Sequence, residues 1–169
     1  MNTLLTNTDI KKYLGKDCKI ISYRQLNDIS NFDQFMSNIL FLIILYEHKK
    51  NVGHWCVIIK DDVQKIFEFF DPYGTQPDKQ LLDLPIRIRN SLGQDYPTLA
   101  AHLYNSNRQI VYNSHKLQQL KIGINTCGKW VLTRCMMYKL PINSYASLFK
   151  GDKDKQVQNL YNSIKKSFI

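Results

Sequence analysis

His54-Trp55, Asp71-Pro72-Tyr73-Gly74 and Asn125-Thr126-Cys127-Gly128 set out an imidazole, a carboxylate and a thiol in the order His, Asp, Cys. A thiol becomes a strong nucleophile near neutral pH when a neighbouring imidazole takes its proton. The imidazole in turn needs a carboxylate to fix its tautomer and support its positive form. All three residue types fall where a predicted element begins or ends, which points to a cysteine-dependent hydrolase.

The elements that must position them read as follows. Thr8-Asp9 followed by Ile10, Tyr13 and Leu14 predicts a capped short helix ending at Gly15. Cys18 to Tyr23 predicts a short strand, and Asn31 to Ser37 a helical turn. The run from Ile39 to Tyr46 is rich in Ile, Leu and Phe and predicts a strand buried on both faces. His54 to Lys60 predicts a second buried strand, Asp61-Asp62 a tight connection, and Val63 to Phe70 a third strand stopped by Pro72 and Gly74. Short links between the three imply an antiparallel meander. Pro77 to Leu92 predicts a short helix, Thr98 to Tyr104 a helical turn, and Arg108 to Leu120 a weakly patterned fourth strand. Val131, Leu132, Cys135 and Met136 recur at helical spacing, so Cys127 to Leu140 predicts a core helix that Pro141 stops. Val157, Leu160, Tyr161, Ile164 and Phe168 form one apolar stripe on a last helix, expected to dock on the domain rather than on a membrane surface. The predicted class is α+β, a single domain over 1–169 with a central, mainly antiparallel sheet flanked by helices and the cysteine at the N-terminus of a core helix.

That placement gives Cys127 its chemistry. The first turn of a helix carries unpaired N–H groups and the positive end of the macrodipole, which favour a thiolate. Gly128 removes a side chain beside the sulfur and leaves room for substrate. A lone cysteine at a helix start is more often a small core residue. His54 alone would be an ordinary half-buried histidine, and Asp71 an Asp-Pro turn initiator. If the two strands pair through the Asp61-Asp62 turn, however, Asp71 comes beside the His54 ring. Strict alternation puts Glu68 on the opposite sheet face. Gln118 and Gln119 precede the cysteine loop; a glutamine amide together with the Cys127 N–H would make an oxyanion hole. Gly53 and Trp55, flanking the histidine, join Gly128 as candidates for the substrate pocket. No metal-ligand set is expected: His54 and Cys56 share a strand face, but Cys127 and Cys135 stand eight apart on a helix.

The composition limits the alternatives. Apolar residues make up 44% and charged residues 22% of 169, ordinary for a globular protein able to bury a core. The N-terminus lacks a signal-peptide pattern, and the eight residues Ile39–Tyr46 are too few to span a bilayer as a helix. Four cysteines without a C-x-x-C pair fit reduced thiols and a protein that is not secreted. The net charge of +9 is scattered and fits non-specific polyanion binding better than base readout.

The series Gly-His-Trp, then Phe-Asp-Pro-Tyr-Gly with its aspartate seventeen residues after the histidine, then a glutamine, then Asn-Thr-Cys-Gly resembles the adenovirus-type maturation endopeptidases (adenain). That family shares the fold of the SUMO-specific proteases, and the relatives expected to lie nearest are the capsid-maturation proteases of virophages and of Polinton-type elements. The resemblance implies Cys127 as nucleophile, His54 as base, Asp71 as the orienting acid, and Gln119, with Gln118 the alternative, as oxyanion donor. Two features depart from the pattern: aspartate stands where the family has glutamate, and Gln119 lies eight residues before Cys127, one more than the pattern. By resemblance, the expected function is a viral cysteine endopeptidase that cuts capsid and other virion precursor proteins after small residues such as glycine; a monomer is expected. It would act in the virion, or in the host cytoplasm or viral factory. No cofactor is required for the chemistry, and DNA or a peptide would serve as activator. Two rivals stand beside it: an isopeptidase acting on ubiquitin-like proteins, and a non-catalytic basic virion protein that binds nucleic acid.

Overall fold

The computed structural model describes residues 4–121 and 124–168. Its centre is one five-stranded sheet in the order β1-β2-β3-β4-β5, with β1 Cys18–Ser22, β2 Phe41–Lys49, β3 Val52–Asp61, β4 Ile66–Phe70 and β5 Gln109–Tyr112. The predicted meander is its core: β2 and β3 pair antiparallel, as do β3 and β4. Both outer strands instead run parallel to their neighbours, β1 with β2 and β5 with β4. Their long connections carry helices, as parallel neighbours require. The helices are α1 Asn7–Leu14, α2 Phe32–Phe35, α3 Lys79–Leu82, α4 Ile86–Ser91, α5 Thr98–Tyr104, α6 Cys127–Met136, α7 Ile142–Ser147 and α8 Lys153–Ser167.

Because strand side chains alternate, β3 feeds two cores. Cys56 and Ile58 face a layer with Tyr23, Leu26, Met36, Leu99 and Leu103. Val57 and Ile59 face the other, where α6 contributes Trp130, Val131 and Cys135 and α7 contributes Tyr145. Burial on both faces explains why β2 and β3 read as continuous apolar runs. Glu68 lies on the α6 side, where Arg134 of that helix grips it with two bonds of 2.9 and 2.8 Å. This charge-assisted fork fixes the height of α6 against the sheet.

Four expectations need correction. The strand foreseen over Arg108 to Leu120 is only β5; beyond Tyr112 the chain leaves the sheet edge for an irregular segment. Pro85 divides the stretch Pro77 to Leu92 into α3 and α4 rather than one helix. The helix foreseen to Leu140 ends at Met136. Pro141 does not merely stop it: it opens α7, since proline suits a helix start, where no N–H partner is missing. The α8 stripe docks as expected, Val157 and Tyr161 being buried and Phe168 meeting Tyr13 edge-on at 5.3 Å. No helix among the described residues is long and apolar enough to cross a membrane.

Candidate active site

The site forms at one end of β3. Near it the β2–β3 pair carries an irregularity at Glu47/Lys49, and Gly53 lies so close to β2 that a Cβ there would come within 1.8 Å of the Tyr46 carbonyl oxygen. Gly53, foreseen as lining a pocket, therefore answers first to strand packing: only glycine lets the two backbones meet at this point. The next residue, His54, points to the same face as Cys56 and toward the end of β4.

There the chain turns sharply. The Gly74 N–H donates to the Asp71 carbonyl at 2.8 Å, and Gly74 takes a φ of +73° with the His115 backbone where a Cβ would stand. Asp71 is fully buried and its carboxylate is saturated. Oδ1 accepts from His54 Nε2 at 2.7 Å and from the Tyr73 N–H at 2.8 Å. Oδ2 accepts from the Thr75 hydroxyl and, at 3.0 Å, from Gln80 Nε2. The turn-initiating role and the imidazole-orienting geometry thus coexist in one side chain. With Nε2 committed to Asp71, Nδ1 is left for the thiol. Tyr73 lies flat on the imidazole, ring centroids 4.3 Å apart and planes 15° from parallel, so the ring cannot swing away on that side.

Cys127 is the first residue of α6, as foreseen, and is 8% exposed. Of the loop before it, Gly123 lies outside the described residues. Asp154, near the start of α8, holds this end of α6 in place: it accepts from Thr126 Oγ1 at 2.5 Å, Trp130 Nε1 at 3.0 Å and the Gln119 N–H at 3.0 Å. Burial works against a thiolate, yet hydrogen bonding and charge from His54, with the N–H groups of Trp55 and Gly128, hold the Cys127 pKa below the ordinary thiol value. Burial likewise opposes the imidazolium, but Asp71 and Cys127 raise the His54 pKa to about 9. Asp71 stays below the usual carboxylate range: desolvation is outweighed by His54, Thr75 and the Tyr73 N–H. The other thiols go the opposite way, all through burial first: Cys18 rises to about 11, and Cys56 and Cys135 lie well above the ordinary value.

The glutamines separate clearly. Gln118 is buried, with Nε2 at 3.5 Å from both the Tyr73 hydroxyl and the Ile124 carbonyl, and Oε1 has no partner among the described residues. Gln119 is exposed and meets the α8 carboxylate only through its backbone. The sequence preference for Gln119 is therefore revised: Gln118 is the side chain turned toward Tyr73 and the thiol loop. Gly128 also differs from expectation, since a Cβ there would meet the Leu5 side chain at 3.2 Å; the N-terminal segment, not substrate, occupies that space. Trp55 is half-buried against the α6-side core and brings its backbone N–H to the sulfur. Thr75, Gln80 and Tyr73 were missed in the sequence, although Tyr73 lies inside the Asp-Pro-Tyr-Gly turn.

His54, Cys56 and Asp71 have ligating atoms within 4.8 Å of one another. A cation there would have to displace four donors from Asp71 and strip a proton from a thiol held protonated by burial. The arrangement suits proton transfer between sulfur and imidazole instead.

Fold and site together define a five-stranded α+β protein with a thiol–imidazole–carboxylate centre at the sheet end. The chain belongs to the family of protein V9, an uncharacterised protein of Sputnik virophage: the two are 33% identical over 141 residues, covering 83% of this chain and 80% of V9. No family model matches the sequence. Among solved structures, SUMO protease Ulp1 with an oxidised catalytic cysteine is similar at 12% identity and a TM-score of 0.49, over 99% of this chain and 81% of that one. ChlaDub1 of Chlamydia trachomatis is similar at 17% identity and a TM-score of 0.45, over 88% of this chain and 64% of that one.

Proposed function

We propose that the chain is a cysteine endopeptidase that cleaves capsid and other virion precursor proteins during particle maturation. One observation carries the hydrolase reading: of four free thiols, Cys127 alone is held below the ordinary thiol pKa, beside an imidazole raised to about 9. The Cys127 thiolate attacks the peptide carbonyl, and the oxyanion is held by helix-start N–H groups and the Gln118 amide. The His54 imidazolium gives its proton to the leaving amine as the C–N bond breaks. His54 then takes a proton from water, whose oxygen displaces the sulfur from the thioester. Asp71 keeps the imidazole in place and supports its charge throughout. No cofactor enters these steps. The virophage relative supports a viral setting for the substrates, and the net charge of +9 supports DNA as an activator.

The test is co-expression of the chain with candidate capsid proteins, comparing the parent chain with Cys127→Ala and sequencing new protein termini. Fragments that vanish with Cys127→Ala support the reading, and identical fragments from both overturn it. A ubiquitin-like protein extended beyond its terminal glycines belongs in the same assay. Cleavage of that protein alone would move the substrate class to the isopeptidase alternative.

A further inference from the structure

A cleft of about 680 Å³ opens beside the site and shares Tyr73 and Gln118 with it. Three ammonium groups rim it, from Lys79 at the start of α3, Lys116 on the segment after β5, and Lys153 at the start of α8. Asp83 is the sole carboxylate among its lining residues. None of the three lysines forms an ion pair with a carboxylate among the described residues. Among the described residues, Lys153 reaches only the Lys116 carbonyl, at 3.4 Å. Leu120, which also lines the cleft, is 85% exposed, an apolar side chain that no described residue covers.

Resting on the hydrolase reading above, we propose that this cleft seats an acidic segment of the polypeptide substrate next to the scissile bond. Lys79, Lys116 and Lys153 would meet its carboxylates, and Leu120 an apolar side chain between them. Three converging elements supply the lysines, so the positive potential is focused in one concavity rather than spread along a face. A nucleic acid fits less well: its phosphates recur along a line and call for a basic stripe, whereas here the charges surround a short hollow with a leucine in its lining. An extended peptide advances roughly 3.3 Å per residue, so a few residues leaving the catalytic centre would traverse the cleft.

The experiment uses the full chain carrying Cys127→Ala and fluorescein-labelled peptides of equal length. Each has a central pair of glycines and acidic, neutral or basic flanks; anisotropy at low and physiological salt reads the affinity. The acidic peptide is expected to bind about tenfold tighter than the neutral one, with the margin shrinking as salt rises. Adding Lys79→Glu and Lys116→Glu should erase the margin and turn preference to the basic peptide. Both lysines are exposed, and an unchanged thermal melt checks that the fold survives. Equal binding of acidic and neutral peptides overturns the proposal, as does a margin that ignores the two lysine substitutions. A short DNA duplex that depends on those lysines while the acidic peptide does not would also overturn it, in favour of nucleic acid. Because the peptide readout needs no turnover, capsid cleavage that persists without the acidic margin sinks only this proposal. A margin that persists without cleavage sinks only the hydrolase reading.

Discussion

Asp71 and Asp78 stand seven residues apart in one connection, between β4 and α3, and both are shielded from solvent at 0% and 7% exposure. Both are well supplied with hydrogen-bond donors. Asp78 accepts from the hydroxyls of Tyr23 at 2.9 Å and Tyr46 at 3.0 Å and from the Ala100 N–H at 2.7 Å, which ties β2, α5 and the start of α3 together. Yet burial pushes its carboxyl above the usual range, whereas that of Asp71 is held below it. The difference is the partner's charge. Donors to Asp78 are neutral phenols and a backbone amide, while Asp71 faces an imidazole that takes up a proton. A buried carboxylate becomes useful in catalysis through the cation it supports, and without one it serves as a structural knot.

Substitutions at the two positions sharpen that contrast. Asp71→Asn should lower kcat/KM about a thousandfold, since it loses the charge that supports the imidazolium and can present the wrong hydrogen-bond partner to Nε2. In the proposed mechanism the imidazolium form is required, so its pKa of about 9 should set the alkaline limb, and removing the Asp71 charge should move that limb to lower pH. Gln80→Met removes one donor to the carboxylate, 3.0 Å away, and should cost about tenfold in kcat/KM. The same change should move the Asp71 titration upward, visible as a loss of stability that begins at higher pH on acidification. The sign follows because a carboxylate with a depressed folded pKa stabilises above its unfolded value and loses that stabilisation as pH falls through the folded one. Asp78→Asn should have the smallest effect on catalysis, leaving the alkaline limb at about 9, while denaturant titration shows a loss of about 1–3 kcal/mol. An alkaline limb that moved equally with Asp71→Asn and Asp78→Asn would break the contrast.

Much of this was legible in the residues. The apolar runs of β2 and β3 are long enough to fix the meander, and the pairing then brings Asp71 beside His54. The outer strands were less legible because their parallel partners lie far off in sequence, and β5 is only four residues long. The choice between Gln118 and Gln119 escaped periodicity altogether. The segment is irregular, with Leu117 and Gln118 both buried in succession, so no alternation assigns a face. Thr75 and Gln80 were hidden for a related reason: polar loop residues carry no pattern, and only the folded turn shows that both donate to Asp71. Gly53 and Gly128 were visible as glycines, but not the Tyr46 carbonyl that requires the first or the Leu5 side chain that packs against the second.

The central claim is that His54 ionises Cys127 while burial keeps the other thiols protonated. Its most direct test is the rate of alkylation by iodoacetamide at each of the four cysteines as a function of pH, read by peptide mass spectrometry in the native parent chain and in His54→Ala. Cys127 should react well below pH 9 in the parent chain, ahead of Cys18, Cys56 and Cys135, and its midpoint should rise in His54→Ala. A Cys127 that titrates like an ordinary thiol in the parent chain, or with the same midpoint in both proteins, would contradict the account.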